Sequence, residues 1–373
     1  MSTEILKVSN RRQMGKWVDF PLELYKDCEN YVPALRGDEF DTFNPKKNDA
    51  YEYCEAECYL AYKDGKVAGR IAAIINHSAN KRWGKNEVRF GWIDFIEDME
   101  VLKALIKAVE DYGRSKGCTE ITGPLGFTDM DREGLLVEGY ENLSSFTCIY
   151  NYPYYDKMLS ELGFDKDVDW TQRVVDLAPE LPKMFKLAPY IAERSKLHIA
   201  EGKSMQDLSK RYGMEIFHMY NESFAPLYGF APLTDKQIKG YLATYIPILD
   251  PDFVAVVVTD EDKPIGFAFC VPTLATAVKK SKGRLLPLGI FRILKALKHP
   301  TALEALMIGV LPEYQGAGAP VLLFKKIHES CIKRGVSRII LNPQLEENFK
   351  VQTLFEQYNP SFYTRRRSYV KTI

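Results

Sequence analysis

The chain carries one structural pattern twice, and that repetition limits its fold more than any other feature. Gly117 in Ser115-Lys116-Gly117-Cys118-Thr119-Glu120-Ile121 corresponds to Gly335 in Lys333-Arg334-Gly335-Val336-Ser337-Arg338-Ile339, an offset of 335 − 117 = 218. Applied without gaps, the offset lays Val101 to Tyr112 on Ala319 to Ser330, with Leu105 on Leu323 and Val109 on Ile327. Both stretches read as helices with apolar stripes on similar faces, each followed by a glycine suited to a left-handed cap.

The elements before this match recur in the same order. A short apolar strand, Ile5 to Val8, precedes a helical pattern from about Arg12 to Asp27; Leu197 to Ala200 precedes a helical stretch from about Met205 to Phe224. A hairpin follows in each half. Tyr59 to Tyr62 turns at Lys63-Asp64-Gly65-Lys66 into Val67 to Ile75, and Val254 to Thr259 turns at Asp260 to Pro264 into Ile265 to Val271. A strand, an amphipathic helix and another strand then complete each half. With 373 residues, more than one hydrophobic core usually accommodates, the chain reads as an α/β protein of two domains, 1–180 and 181–373. The connector is Leu177 to Lys196, marked by Pro179, Pro182 and Pro189.

Lysine plus arginine and aspartate plus glutamate both total 50, so the chain has no bulk field for nucleic acid or an anionic membrane. The expected partner is a small molecule or a peptide, with no nucleic acid and no membrane. The amino-terminal MSTEILKVSNRRQ lacks the apolar core of a signal peptide, and no run reaches the roughly 18 apolar residues of a membrane span, so a cytoplasmic location is expected. Seven scattered cysteines suit a reducing compartment. Cys54 and Cys58 are the only close pair and lack two further ligands, so no metal site is expected.

One segment carries chemistry. An apolar strand from Leu306 ends at Pro312; the small-residue loop Gln315-Gly316-Ala317-Gly318-Ala319 follows, and a helix begins near Pro320. Glycines let the loop backbone approach a ligand, and successive N–H groups at a helix start cradle an anion, helped by the helix dipole. Pro320 fits a first helical turn, where its missing donor costs little.

The loop Gln315-Gly316-Ala317-Gly318-Ala319-Pro320, preceded by Val310-Leu311-Pro312-Glu313-Tyr314, resembles the Gln/Arg-x-x-Gly-x-Gly/Ala signature of the GNAT acyltransferases. Pro320 departs from it. Downstream, Asn342-Pro343 and Asn348-Phe349-Lys350-Val351-Gln352-Thr353-Leu354-Phe355 resemble the family's Asn-x-x-Ala-x-x-x-Tyr helix. The resemblance implies two tandem GNAT-like domains on mixed sheets. It implies acetyl-CoA or another acyl-CoA as co-substrate, bound by Ile308, Val310, Gln315, Gly316, Ala317, Gly318, Ala319, Asn342, Asn348 and Phe355. Phe355 stands where many members have a tyrosine that protonates the departing thiolate, and phenylalanine has no proton to give. Tyr358 and Tyr363 are the candidates to replace it, and Glu304 is the candidate base.

The offset lays Glu97-Asp98-Met99-Glu100 of the first half on the glycine loop of the second, which places three carboxylates where a diphosphate would sit. The first half is therefore expected to bind no coenzyme A. It offers instead Asp94, on an apolar strand, and the loop Gly126 to Gly134 with Asp129, Asp131 and Glu133 as contacts for an amine acceptor; a solvated acidic turn is the alternative. The terminal Arg365-Arg366-Arg367 reads either as a phosphate contact or as a solvated strand start. The expected activity is N-acyl transfer, probable N-acetyl transfer, by direct attack of an amine on the thioester. An aminoacyl transferase of the peptidoglycan-bridge type and a non-catalytic coenzyme-A-binding module are the alternatives.

Overall fold

The computed structural model of the chain describes residues 3–373. Cα packing divides it into two units that do not follow a single cut. One holds residues 1–171, 274–293 and 364–373; the other holds 172–273 and 294–363.

The first half supplies strands β1 (Glu4–Lys7), β2 (Cys54–Lys63), β3 (Lys66–Asn76), β4 (Glu87–Phe95), β5 (Glu120–Gly123), β6 (Leu135–Glu138) and β7 (Asp165–Asp176). Its helices are α1 (Arg11–Leu24), α2 (Arg36–Thr42), α3 (His77–Trp83), α4 (Met99–Ser115) and α5 (Tyr154–Glu161). The second half opens with α6 (Ala188–Ser195), β8 (Leu197–Ile199), α7 (Met205–Ser223) and α8 (Asp235–Tyr245). The hairpin β9 (Val254–Thr259) and β10 (Pro264–Pro272) follows, then α9 (Ala275–Lys280) and α10 (Gly289–Lys298). It closes with β11 (Leu303–Val310), α11 (Ala319–Arg334), β12 (Arg338–Leu341), β13 (Gln344–Leu345), α12 (Phe349–Phe355) and β14 (Ser361–Thr372).

The repeat is real at the level of elements. α1 and α7 both begin at a side-chain cap, Asn10 accepting from the Gln13 amide and Ser204 from the Asp207 amide, which satisfies an otherwise orphaned helical donor. The predicted face register also holds: Val101, Leu105, Ile106, Val109 and Tyr112 are buried on α4, as are Ala319, Leu323, Phe324, Ile327 and Ser330 on α11.

In the first unit β1 to β5 pair in sequence order, antiparallel except for the parallel β4–β5 pair. The neighbour of β5 is the last strand of the chain, with Tyr369–Thr372 of β14 opposite Gly123–Glu120, and β6 pairs with residues 365–367. In the second unit the order runs β12-β11-β10-β9-β8, again with one parallel pair, β11–β12. There the flank of β12 is taken by Val174–Asp176 of β7. Each unit is thus completed by the closing strand of the other half's sequence, an exchange that a linear reading of the repeat does not reveal.

That exchange explains the terminal arginines. Two are drawn into ion pairs of the fold: Arg367 grips the buried Asp169 through Nε at 2.8 Å and Nη2 at 3.0 Å, and Arg365 pairs with Glu138 at 2.9 Å. Arg366 is 1 % exposed and donates to the Ile149 carbonyl.

Candidate functional site

The second unit presents an open strand edge. β11 pairs with β12 only from Leu303 to Ala305, opposite Ile339 to Leu341; residues 306–310 continue against β10 alone. A bulge at Leu306, where the β10 register shifts between Phe269 and Cys270, turns this stretch away from β12. Partly buried apolar side chains of Ala305, Ile308, Val321, Ile339, Val351 and Leu354 gather beside the divergence, over a core of Phe324, Leu341 and Phe355. Ile308 and Val310 therefore stand on the free edge.

From Val310 the chain takes eight residues, 311–318, to reach α11. The Ala317 amide donates to the Tyr314 carbonyl at 3.0 Å, and the Val321 amide to Gly318 at 3.0 Å. The amides of Gly316, Gly318 and Ala319 make no bond among the described residues. Gly316 and Gly318 thus leave two accessible, unspent donors at the positive end of a 16-residue helix, an anion cradle, whereas Ala319 is 0 % exposed. Pro320 costs it little, because the cradle is complete before that residue.

The two loop glycines serve different ends. Gly318 has φ +83°, and a Cβ there would lie 2.6 Å from Ile191 Cγ2, so it is required by the fold. A Cβ on Gly316 would meet nothing within 4 Å: the space above it is open. Ile191 belongs to α6, and Ser195 at the end of that helix donates to the Ala317 carbonyl at 3.0 Å. The proline-marked segment read as a connector is thus a buttress for the loop. Gln315 is exposed, with Nε2 donating to the Val310 carbonyl at 3.4 Å.

The other expected residues take varied positions. Asn348 caps α12, its Oδ1 accepting from the Val351 amide at 3.4 Å, whereas Asn342 is exposed at the end of β12. Phe355 packs its ring 5.0 Å from Phe324. Tyr358 lies one turn beyond α12 against Phe185, Phe324 and His328, and burial raises its phenol, so the hydroxyl keeps its proton at neutral pH. Tyr363 stands near the start of β14, partly buried. Glu304 is 2 % exposed at the paired end of β11 and accepts from Thr273 Oγ1 at 2.7 Å.

The first unit shows the same junction closed. β4 pairs with β5 only from Glu87 to Arg89 and would leave a similar edge, but the protein fills it. The Leu125 amide donates to Phe90 O at 2.9 Å, the Phe95 amide to Tyr155 Oη at 2.9 Å, and Tyr154 Oη to the Phe95 carbonyl. Only Ile96, Glu97 and Asp98 separate β4 from α4. Asp98 caps that helix, accepting from the amides of Glu100 at 2.9 Å and Val101 at 3.3 Å, and pairs with Lys63.

The first unit does hold a cavity of about 60 Å³ on the bulged part of β4, beside Trp92, Ile93 and Asp94. Asp94, 6 % exposed, accepts from Tyr25 Oη and Arg70 Nε, both at 2.8 Å. Burial raises its carboxyl above the usual range against the pull of Arg70. Glu39 accepts from Trp92 Nε1 at 2.9 Å and from Arg70 at 3.3 Å. Of the four expected substrate residues only Asp94 reaches this cavity. The wall contribution of the Gly126–Gly134 loop is Arg132. Asp131 folds back to accept from the Thr128 amide at 3.1 Å, and burial pushes its carboxyl up to about 6. Burial raises Glu133 as well, with Asp129 adding repulsion. The loop is neither a solvated turn nor a carboxylate array aimed at the cavity. Arg70, Arg132 and Lys282, which form the cavity's basic side, follow from no motif; only the strand alternation around Arg70 hinted at one.

No protein-family model matches the chain. It is 27% identical over 377 residues to Protein YghO of Escherichia coli, covering 98% of this chain and 94% of that one. It is 23% identical over 380 residues to the bacterial ceramide synthase of Caulobacter vibrioides, covering 99% and 97%. Among solved structures it resembles a tandem GNAT protein from the clavulanic acid biosynthesis pathway, with TM-score 0.59, 11% identity and coverage of 100% and 98%. A GCN5-related N-acetyltransferase from Sphaerobacter thermophilus gives TM-score 0.52, 12% identity and coverage of 99% and 95%. The fold of this chain is a tandem GNAT fold.

Proposed function

We propose that the chain is an acyl-CoA-dependent N-acyltransferase whose second half alone holds the cofactor. The observation that carries this reading is the β11–α11 junction, where the unspent amides of Gly316 and Gly318 lie beside an unpaired strand edge. The diphosphate would rest on the amides and the pantetheine arm along residues 306–310. A backbone N–H on that edge would polarise the thioester carbonyl.

The acceptor amine attacks the carbonyl carbon, a C–N bond forms and the C–S bond breaks. The ammonium proton leaves to a base and the thiolate gains a proton. Glu304 is the base we assign. Four residues of strand, about 13 Å, separate it from Ile308, so the proton travels through water rather than directly. Tyr358 is the acid we assign to the thiolate, in place of the hydroxyl that Phe355 lacks.

The Caulobacter relative favours a finer reading. A ceramide is the amide of a long-chain amino alcohol with a fatty acid, and the similarity to its synthase spans 99% of this chain. We therefore assign the acceptor to the long-chain amines and the donor to fatty acyl-CoA rather than acetyl-CoA. The test is to incubate purified protein with acyl-CoAs of increasing chain length and a panel of amines, following free thiol and amide product together. Amine-dependent thiol release supports the reading. Tight coenzyme A binding with no amide across the panel favours the non-catalytic binding module.

A further inference from the structure

The stretch between β10 and β11 sets itself apart from the rest of the chain. Residues 274–302 contain Lys279, Lys280, Lys282, Arg284, Arg292, Lys295 and Lys298 and not one aspartate or glutamate, within a sequence whose formal net charge is zero. None of the seven forms an ion pair among the described residues; Lys279 and Arg292 donate to backbone carbonyls of Glu29 and Lys280 instead. Cations elsewhere are commonly paired, as Arg334 is with Asp250 and Asp252.

The same stretch exposes apolar side chains that a folded protein ordinarily buries. Leu285 is 39% exposed, Leu286 78%, Leu288 57%, Phe291 67% and Leu294 53%, five large hydrophobics within ten residues. On α10 only Gly289 and Ile293 are buried. At 100° per residue Leu288, Phe291 and Leu294 project from the opposite side, and Lys295 and Lys298 share that outer face one turn further on. The backbone ahead of the helix is held in place. Lys282 has φ 48°, and the Gly283 carbonyl accepts from the Arg36 amide at 2.8 Å, so the segment is an ordered projection.

We infer that residues 284–298 dock the protein on an anionic lipid surface. Leucine and phenylalanine enter the boundary between headgroups and acyl chains while the lysines and arginines reach back to the phosphates. Ten residues of helix span only about 15 Å, so α10 lies in the plane of the interface. No helix among the described residues is long and apolar enough to cross a membrane. The charge pattern selects lipid over a second copy of the chain. A symmetric dimer through this face would set the four cations Arg284, Arg292, Lys295 and Lys298 against their own copies, a repulsion that an anionic surface turns into attraction. The expectation of no membrane partner rested on the balanced bulk charge, which conceals this segregation. The inference is independent of the proposed acyl transfer.

Flotation of the full chain with vesicles tests it. Vesicles containing phosphatidylglycerol should capture the protein at least about tenfold better than phosphatidylcholine vesicles, and added salt should reduce the capture. The combined Leu286→Ser, Leu288→Ser, Phe291→Ser and Leu294→Ser variant should lose it while keeping the thermal unfolding of the parent, since all four side chains are exposed. Arg292→Gln with Lys295→Gln and Lys298→Gln should weaken it about tenfold or more. In a Phe291→Trp variant, fluorescence should shift to the blue only with the anionic vesicles. Failure of the parent protein to bind either vesicle, or serine and parent proteins binding alike, overturns the inference. So does a dimer in sedimentation velocity that the serine variant abolishes without any vesicle binding, since that assigns the face to a second copy.

Discussion

The two strand-to-helix junctions of this protein start from the same pattern and end in opposite states. After β11 the chain spends eight residues before its helix, keeps the amides of Gly316 and Gly318 unspent and leaves the strand edge open. After β4 it spends three, turns Asp98 onto the helix start and plugs the edge with Leu125, Tyr154 and Tyr155. An anion site at a helix N-terminus thus depends less on the helix than on what the protein does with its own donors. In the second half two accessible ones stay unbonded; in the first they are consumed by the fold.

The largest expected effect comes from adding a charge to the open junction. Gly316→Asp places a carboxylate in open space beside the unspent amides, and like charges repel by about 4 kcal/mol at about 4 Å in a surface-like dielectric. Coenzyme A affinity by calorimetry should fall at least about a hundredfold with the thermal midpoint unchanged, while Gly316→Ala stays near the parent. Gly318→Asp is the poorer test, because it also strikes Ile191 and strains the backbone.

Tyrosine hydroxyls separate the halves next. Tyr358→Phe should lower kcat about ten- to a hundredfold with coenzyme A affinity retained, if the phenol protonates the thiolate. Tyr155→Phe removes the acceptor of the Phe95 amide and the partner of Tyr25, and should cost about 1–2 kcal/mol of stability in denaturant unfolding with no change in coenzyme A affinity. Asp98→Ala should cost about 1 kcal/mol through the lost cap and create no second cofactor site.

The smallest effect is one of pH. Asp131 is raised to about 6 by burial, so the folded protein holds a proton that the unfolded chain releases near 4. Its contribution to stability is full below that lower value and is lost as pH rises through about 6. Asp131→Asn should flatten this decline in unfolding midpoints measured across the window, and an unchanged profile would show that the carboxyl is solvated after all.

The sequence showed what depends on local pattern. The offset of 218 predicted the buried faces of α4 and α11, because both helices bury the same stripe. Gln315 to Ala319 announced the turn into α11, because glycines at 316 and 318 mark a break between strand and helix. What depended on distant partners stayed hidden. The exchange of β7 and β14 requires knowing which sheet edge each strand meets, and nothing near Val174 or Tyr369 records it. Asp131 bends back to an amide three residues away and Arg132 takes the cavity wall, although composition alone marks the loop as acidic. Asn348 serves as a cap in the fold, a duty its family resemblance did not separate from ligand contact.

The account stands on the claim that one junction is open and the other closed, and counting coenzyme A sites tests it directly. Titration of the purified chain in a calorimeter should give one site per chain, and Gly316→Asp should remove it. Two equivalent sites, or a site that survives Gly316→Asp unchanged, would contradict it.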